Sequence, residues 1–125
     1  MSEIIGVGVD MCAIARMQRA LEKPRFAERV FTEAERAYLT GRGKGCAQSA
    51  AAMFAAKEAV AKALGMGFSG GVMPGQIGVV HDGAGHPGIE LTGAALERMR
   101  AMGGARVHLS LSHEGDMALA FAVIE

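Results

Sequence analysis

The sequence has no tryptophan and a single tyrosine, Tyr38, so few aromatic faces are available for stacking nucleic-acid bases. It also has no excess of either charge. Thirteen Lys and Arg balance thirteen Asp and Glu, which argues against a nucleic-acid partner held by overall charge. No apolar run approaches the ~18 residues needed to span a bilayer. The opening Met-Ser-Glu-Ile-Ile lacks the basic segment and long apolar region of a secretory leader. Two cysteines, Cys12 and Cys46, beside nine methionines suggest reduced thiols inside a cell rather than a disulfide scaffold. The expectation from these absences is a soluble cytoplasmic protein with no membrane and no nucleic-acid partner. At 125 residues, 50% hydrophobic and 21% charged, the chain reads as one ordinary domain with a modest core.

Glycine is plentiful: its eighteen residues are about twice the usual share. Two of them lie in the first strand, expected over Ile4–Asp10. Ile5, Val7 and Val9 share one face of that strand, and Gly6, Gly8 and Asp10 the other. Glycines inside a strand let a backbone or a ligand come close, so Asp10 ends a strand beside open space. A helix follows with Ile14, Met17 and Leu21 as its buried stripe, and Pro24 ends it or starts the next. Thr32-Glu33-Ala34-Glu35 has the form of a capping box. Gly41, Gly43 and Gly45 mark a loop carrying Arg42 and Lys44, and an alanine-rich helix then runs from about Ala47 to Leu64. Strands are expected over Gln76–His81 and Ile89–Thr92, joined through Asp82-Gly83, and a helix over Ala94–Met102. Two further strands, Arg106–His113 and Met117–Ile124, close the chain. This order is not regular βαβ repetition and favours an α+β fold.

On the long helix Met53, Ala56, Val60 and Leu64 form an apolar stripe, while Glu58 and Lys62 lie together away from it, one turn apart. An ordinary helical Glu–Lys pair is one reading. The other joins Glu58 to Asp10, because two carboxylates with phosphate oxygens and water suit Mg²⁺, and Lys62 could neutralise a further phosphate charge. Between Ala13 and Val30 five basic residues, among them Arg16, Arg19, Arg25 and Arg29, face two acidic ones. That excess is either a solvated helix face or a docking surface for an acidic partner. None of the four histidines has a zinc spacing, and no Cys-x-x-Cys, Walker A or Gly-x-Ser-x-Gly sequence occurs.

Taken in order, five segments resemble the holo-[acyl-carrier-protein] synthases, the small bacterial class of 4′-phosphopantetheinyl transferases. They are Ile5-Gly6-Val7-Gly8-Val9-Asp10 with Ile14-Ala15-Arg16-Met17, the run from Arg25 to Thr32, Phe54-Ala55-Ala56-Lys57-Glu58-Ala59 with Lys62 and Gly65-Met66-Gly67, Gly85-His86-Pro87, and Leu109-Ser110-Leu111-Ser112-His113. The resemblance implies one phosphopantetheinyl transferase domain over residues 1–125, with a mostly antiparallel sheet packed against a long central helix. It implies transfer of the phosphopantetheine arm of coenzyme A to a serine of apo acyl-carrier protein, with release of adenosine 3′,5′-bisphosphate, in fatty acid biosynthesis.

By the same resemblance Asp10 and Glu58 would hold Mg²⁺, Glu58, directly or through a metal-bound water, would be the base for the serine, and Lys62 would stabilise or protonate the leaving phosphate. Lys57, Lys62, Gly65, Pro87 and His113 would line the coenzyme A site. Arg16, Arg19, Arg25 and Arg29 would meet the acidic carrier. Members of the family are typically homotrimers with active sites between subunits. The sequence departs from the family pattern at Met53, where an arginine is usual, at Met66, where threonine is usual, and at His86, where lysine is common. Arg42 or Lys44 is a candidate to restore the missing charge. A non-catalytic relative that binds carrier or coenzyme A without transfer is the alternative, weighed against by intact Asp10, Glu58 and Lys62.

Overall fold

The alanine-rich segment folds as a helix, α4 (Cys46–Ala63), and the other elements pack around it. The computed structural model describes residues 3–125. Alanine is both the best helix former and the smallest side chain that still fills space. Ala50, Ala51, Ala55, Ala56, Ala59 and Ala61 are all buried. The expected stripe of Met53, Ala56, Val60 and Leu64 is buried too, but burial extends around most of the helix rather than along one line. Glu58 and Lys62 stay on its accessible side.

Against α4 lies an antiparallel sheet of β1 (Gly6–Ala13), β4 (Val107–Glu114) and β5 (Met117–Ile124), in the order β1-β5-β4. As expected of a central strand, β5 is apolar on both faces. Its Ala118, Ala120, Ala122 and Ile124 are fully buried. On β1 the valine face is largely open. Val7, Val9 and Met11 are exposed, together with Phe121 opposite Val9 on β5, and of the expected apolar face only Ile5 packs on the core. The glycine face is the one turned to α4. A Cβ on Gly8 would stand 2.9 Å from the carbonyl carbon of Ala59 and from the amide nitrogen of Ala63, closer than a real methyl can approach. The space left by the glycines is therefore filled by the helix backbone, and Asp10, expected to end the strand, lies inside it, because pairing with β5 carries β1 on to Ala13.

Three short helices, α1 (Ile14–Leu21), α2 (Pro24–Val30) and α3 (Glu33–Thr40), cover one flank of α4. Pro24 starts α2 rather than ending α1, at a position where its missing N–H costs nothing. The capping box of α3 forms as the sequence predicts: Glu35 N–H donates to Thr32 Oγ1 at 3.1 Å, and Thr32 N–H donates to Glu35 Oε1 at 2.8 Å. Beyond α4 a hairpin of β2 (Ile77–His81) and β3 (Pro87–Leu91) is followed by α5 (Gly93–Ala101). Its turn is tied by Asp82 Oδ1, which accepts from the amides of Ala84 and His86 at 2.9 and 2.8 Å. No helix among the described residues is long and apolar enough to cross a membrane.

Lys57, expected to line the coenzyme A site, has a fully buried side chain in this chain, and its ammonium meets Glu35 Oε1 at 2.8 Å and donates to the carbonyls of Pro74 and Ile77, each at 2.8 Å. Glu35 Oε2 accepts from Val79 N–H at 2.7 Å. Every donor of the ammonium is thus satisfied, and one cation ties α3 and α4 to β2 and the turn before it. Burial pulls the Lys57 pKa below the ordinary lysine range, and the Glu35 carboxylate opposes that shift. Removing one member of a buried pair leaves the other charge unmatched. Lys57→Met is accordingly expected to lower the unfolding free energy by about 3–5 kcal/mol, measured by urea denaturation. A loss below about 1 kcal/mol, the scale of an exposed pair, would contradict this account.

Candidate active site

Asp10, within β1, lies beside the accessible side of α4. There Lys62 Nζ lies 2.9 Å from Asp10 Oδ1 and donates to the Val9 carbonyl at 3.1 Å. The Asp10 side chain is mostly covered and that of Lys62 half exposed. Glu58 sits one turn before Lys62, partly buried. Burial first, and then the negative charge of Asp10, push its pKa above the usual carboxylate range, while Lys62 pulls it back. The Glu–Lys neighbours on the helix are therefore part of a three-residue cluster, which local helical pairing does not describe. Cys12, on the same face of β1, is also buried, and burial raises its thiol pKa.

Asp10 and Glu58 present oxygen donors only, and no group of three or more His, Cys, Asp or Glu suited to a metal occurs among the described residues. Two carboxylates are too few for a closed zinc site. They do fit Mg²⁺, which keeps water and substrate phosphate in its shell.

A separate cleft of about 690 Å³ opens between α3, α4, the hairpin and β4, and Pro87, His113 and Arg42 line it. Asp10, Glu58 and Lys62 do not border it. Of the two basic residues on the glycine loop, Arg42 points to this cleft, whereas Lys44 borders a different hollow with Gln18 and Cys46. Met53 contributes to the cleft wall but is buried. Gly65 borders neither place in this chain. It follows α4 with a φ of 74°, next to the Leu64 carbonyl that accepts from Arg98 Nε at 2.9 Å. Tyr38, Gln48, Ser49 and His81 line the cleft and escaped the sequence reading. The one available signal was that Tyr38 is the only tyrosine.

Arg16 and Arg19 on α1 and Arg25 and Arg29 on α2 are all exposed. No carboxylate pairs with any of them among the described residues. Arg25 and Arg29 edge a mainly apolar groove of about 740 Å³ with Ala20, Pro24 and Phe26.

The chain belongs to the 4′-phosphopantetheinyl transferase superfamily, whose family model matches residues 6–122. Within that superfamily it is similar to a holo-[acyl-carrier-protein] synthase of Treponema denticola, 41% identical over 122 residues and covering 98% of each chain. The structure is similar to the crystal structure of holo-[acyl-carrier-protein] synthase from Neisseria meningitidis, with a TM-score of 0.87, 39% identity, and 98% and 99% of the two chains covered. It is also similar to the enzyme of Bacillus anthracis in complex with CoA (3′,5′-ADP), with a TM-score of 0.82, 33% identity, and 98% and 97% covered.

A raised native pKa means that folded Glu58 holds its proton more tightly than the unfolded chain does. Stability from this group is then full below the ordinary glutamate range and falls as pH rises through the native value. Glu58→Gln is expected to raise the melting temperature at neutral pH and to flatten its dependence above pH 4 to 5, a range set by the ordinary pKa of about 4.3. Millimolar Mg²⁺ should raise the melting temperature of the unaltered protein and not that of the variant. Calorimetric melts with Mg²⁺ or EDTA check both, and an unaltered protein indifferent to Mg²⁺ would speak against the metal site.

Proposed function

We propose that this protein is a cytoplasmic holo-[acyl-carrier-protein] synthase that transfers 4′-phosphopantetheine from coenzyme A to a serine of apo acyl-carrier protein in fatty acid biosynthesis. The observation that carries the reading is the convergence of Asp10, Glu58 and Lys62, from two elements distant in sequence, at one accessible edge. In the reaction the serine oxygen forms a bond to the phosphorus that bears the pantetheine arm. The bond from that phosphorus to the adenosine side of the pyrophosphate breaks, and adenosine 3′,5′-bisphosphate leaves. Glu58 takes the serine proton. Lys62, held by Asp10 and the Val9 carbonyl, stands ready for the charge that grows on the leaving phosphate. Bound at Asp10 and Glu58, Mg²⁺ would supply charge neutralisation at the pyrophosphate. Positioning and charge matching account for most of such a transfer, so few residues suffice.

The same reading places the active site between copies in a homotrimer. Two observations support it. The acid–lysine cluster and the cleft with Pro87 and His113 lie apart on one chain, so each forms part of a coenzyme A site that a neighbour would complete. The apolar strip of Val7, Val9, Met11 and Phe121 also lies exposed on the outer face of the sheet, where a second copy would cover it. Arg16, Arg19, Arg25 and Arg29 form the surface for the acidic carrier, with the Phe26 groove to take an apolar side chain.

Intact-protein mass spectrometry of apo acyl-carrier protein with coenzyme A, Mg²⁺ and this protein is expected to show a gain of one phosphopantetheine that EDTA abolishes. No gain with several carriers, from a folded protein, would favour a relative that binds without transfer. Arg16→Glu combined with Arg25→Glu is expected to raise the KM for carrier by at least about tenfold, the effect expected when two charge-assisted contacts are lost. The KM for coenzyme A should stay nearly unchanged. An equal loss for both substrates would point to a damaged fold.

A further inference from the structure

Lys62, the cation of the proposed active site, is the last residue but one of α4. That is a weak place for a fixed charge, because the final carbonyls of a helix have no partner within it and its ends fray. Here the chain folds back on the last turn. Gly65 N–H donates to the Lys62 carbonyl at 2.9 Å, and the amides of Met66 and Gly67 donate to the Ala61 carbonyl at 3.4 and 3.1 Å. The positive φ of Gly65 and Gly67, 74° and 57°, makes that reversal possible. The Leu64 side chain is fully buried, yet no backbone N–H among the described residues donates to its carbonyl. That oxygen accepts instead from Arg98 Nε at 2.9 Å.

Arg98 comes from α5, which is seated on the core by the buried Ala95 and Met99. No carboxylate pairs with it among the described residues. Its counter-charge is the negative end of α4, a helix of 18 residues. The guanidinium also lies across Gly65, where an added Cβ would stand 3.4 Å from Nη2. A residue that only filled this space could be apolar, since a long apolar side chain covers the same atoms. Arginine adds a directed donor and a charge, both aimed at the backbone that closes the Lys62 turn. We propose that Arg98 is a positioning residue for the transfer reaction: by holding the Leu64 carbonyl and the Gly65 turn, it keeps the end of α4 wound and Lys62 aimed at the leaving phosphate. The proposal rests on the synthase reading.

Arg98→Met keeps the aliphatic reach and removes the donors and the charge. It is expected to lower kcat for transfer by about tenfold, the scale of one charge-assisted hydrogen bond. The KM for carrier should stay nearly unchanged, and Arg98→Lys should recover part of the kcat. The decisive comparison repeats the change where Lys62 is already absent, with long incubations read by mass spectrometry. In Lys62→Ala the further change Arg98→Met is expected to cost less than about twofold, because groups that act as one unit are not additive. A merely structural defect would cost the same in both backgrounds. Hydrogen exchange should quicken at the Gly65–Gly67 amides in Arg98→Met and stay as it was in β1. Arg98→Gln keeps a donor without the charge, and should show the same pattern at smaller size if the methionine variant does not fold.

An unchanged kcat in a folded Arg98 variant, or an equal cost with and without Lys62, would overturn the positioning role. Unaltered exchange at Gly65–Gly67 would overturn the route through the turn. An unaltered protein that modifies no carrier would remove the synthase reading and the role of Arg98 in turnover together. Normal transfer by the unaltered protein beside either of the first two results would remove this proposal alone.

Discussion

A methyl group on Gly8 would collide with the backbone of Ala59 and Ala63, so β1 lies against α4 only because that position has no side chain. The buried alanines of β5 extend the same close approach across the sheet. Much follows from this one contact. It brings the Asp10 carboxylate within β1 to the accessible side of the helix, where Lys62 and Glu58 project one turn apart. It also turns Val7, Val9 and Met11 outward, because alternation along a strand leaves them no other direction. The acid–lysine cluster and the apolar outer face are two consequences of the same packing.

The buried pair of Lys57 and Glu35 sets the other side of the molecule. Glu35 belongs to the capping box of α3, and its second oxygen holds the backbone of β2 at Val79. Lys57 anchors the turn before that strand to α4. The relative placement of α3, α4 and β2 is therefore fixed by hydrogen bonds from two charged side chains. Tyr38 on α3 and His81 on β2 come together across that junction. A buried ion pair adds little net stability over an apolar pair of similar size. What this one supplies is directed bonds, which locate the wall of the cleft.

Two sites thus arise from two kinds of packing along one helix. Near the C-terminal half of α4, close apolar contact concentrates charge at an edge and raises the Glu58 pKa through burial and the neighbouring Asp10. Near its N-terminal half, a polar network leaves a cleft with one arginine and several histidines but no carboxylate.

Much of the secondary structure was legible in the sequence because its causes are local. The capping box at Thr32 and Glu35, the alanine-rich helix, the Asp82-Gly83 turn and the apolar β5 all follow from propensity and periodicity. The acids and Lys62 could be singled out as well, since they stand off the apolar pattern. Resemblance to a family joined them into one reaction. Which way each strand faced was not legible. The glycines of β1 promise a close neighbour, but only tertiary packing decided that the neighbour was the α4 backbone and left the valines outside. Lys57 and Glu58 are adjacent, yet one is sealed inside and the other reaches solvent, because successive helix positions point about 100° apart and only the surrounding elements determine which direction is closed. Likewise Tyr38, Arg42, Ser49 and His81 carry no shared spacing. They meet because three elements are held at fixed angles by a pair of charges whose partnership appears only in the folded chain.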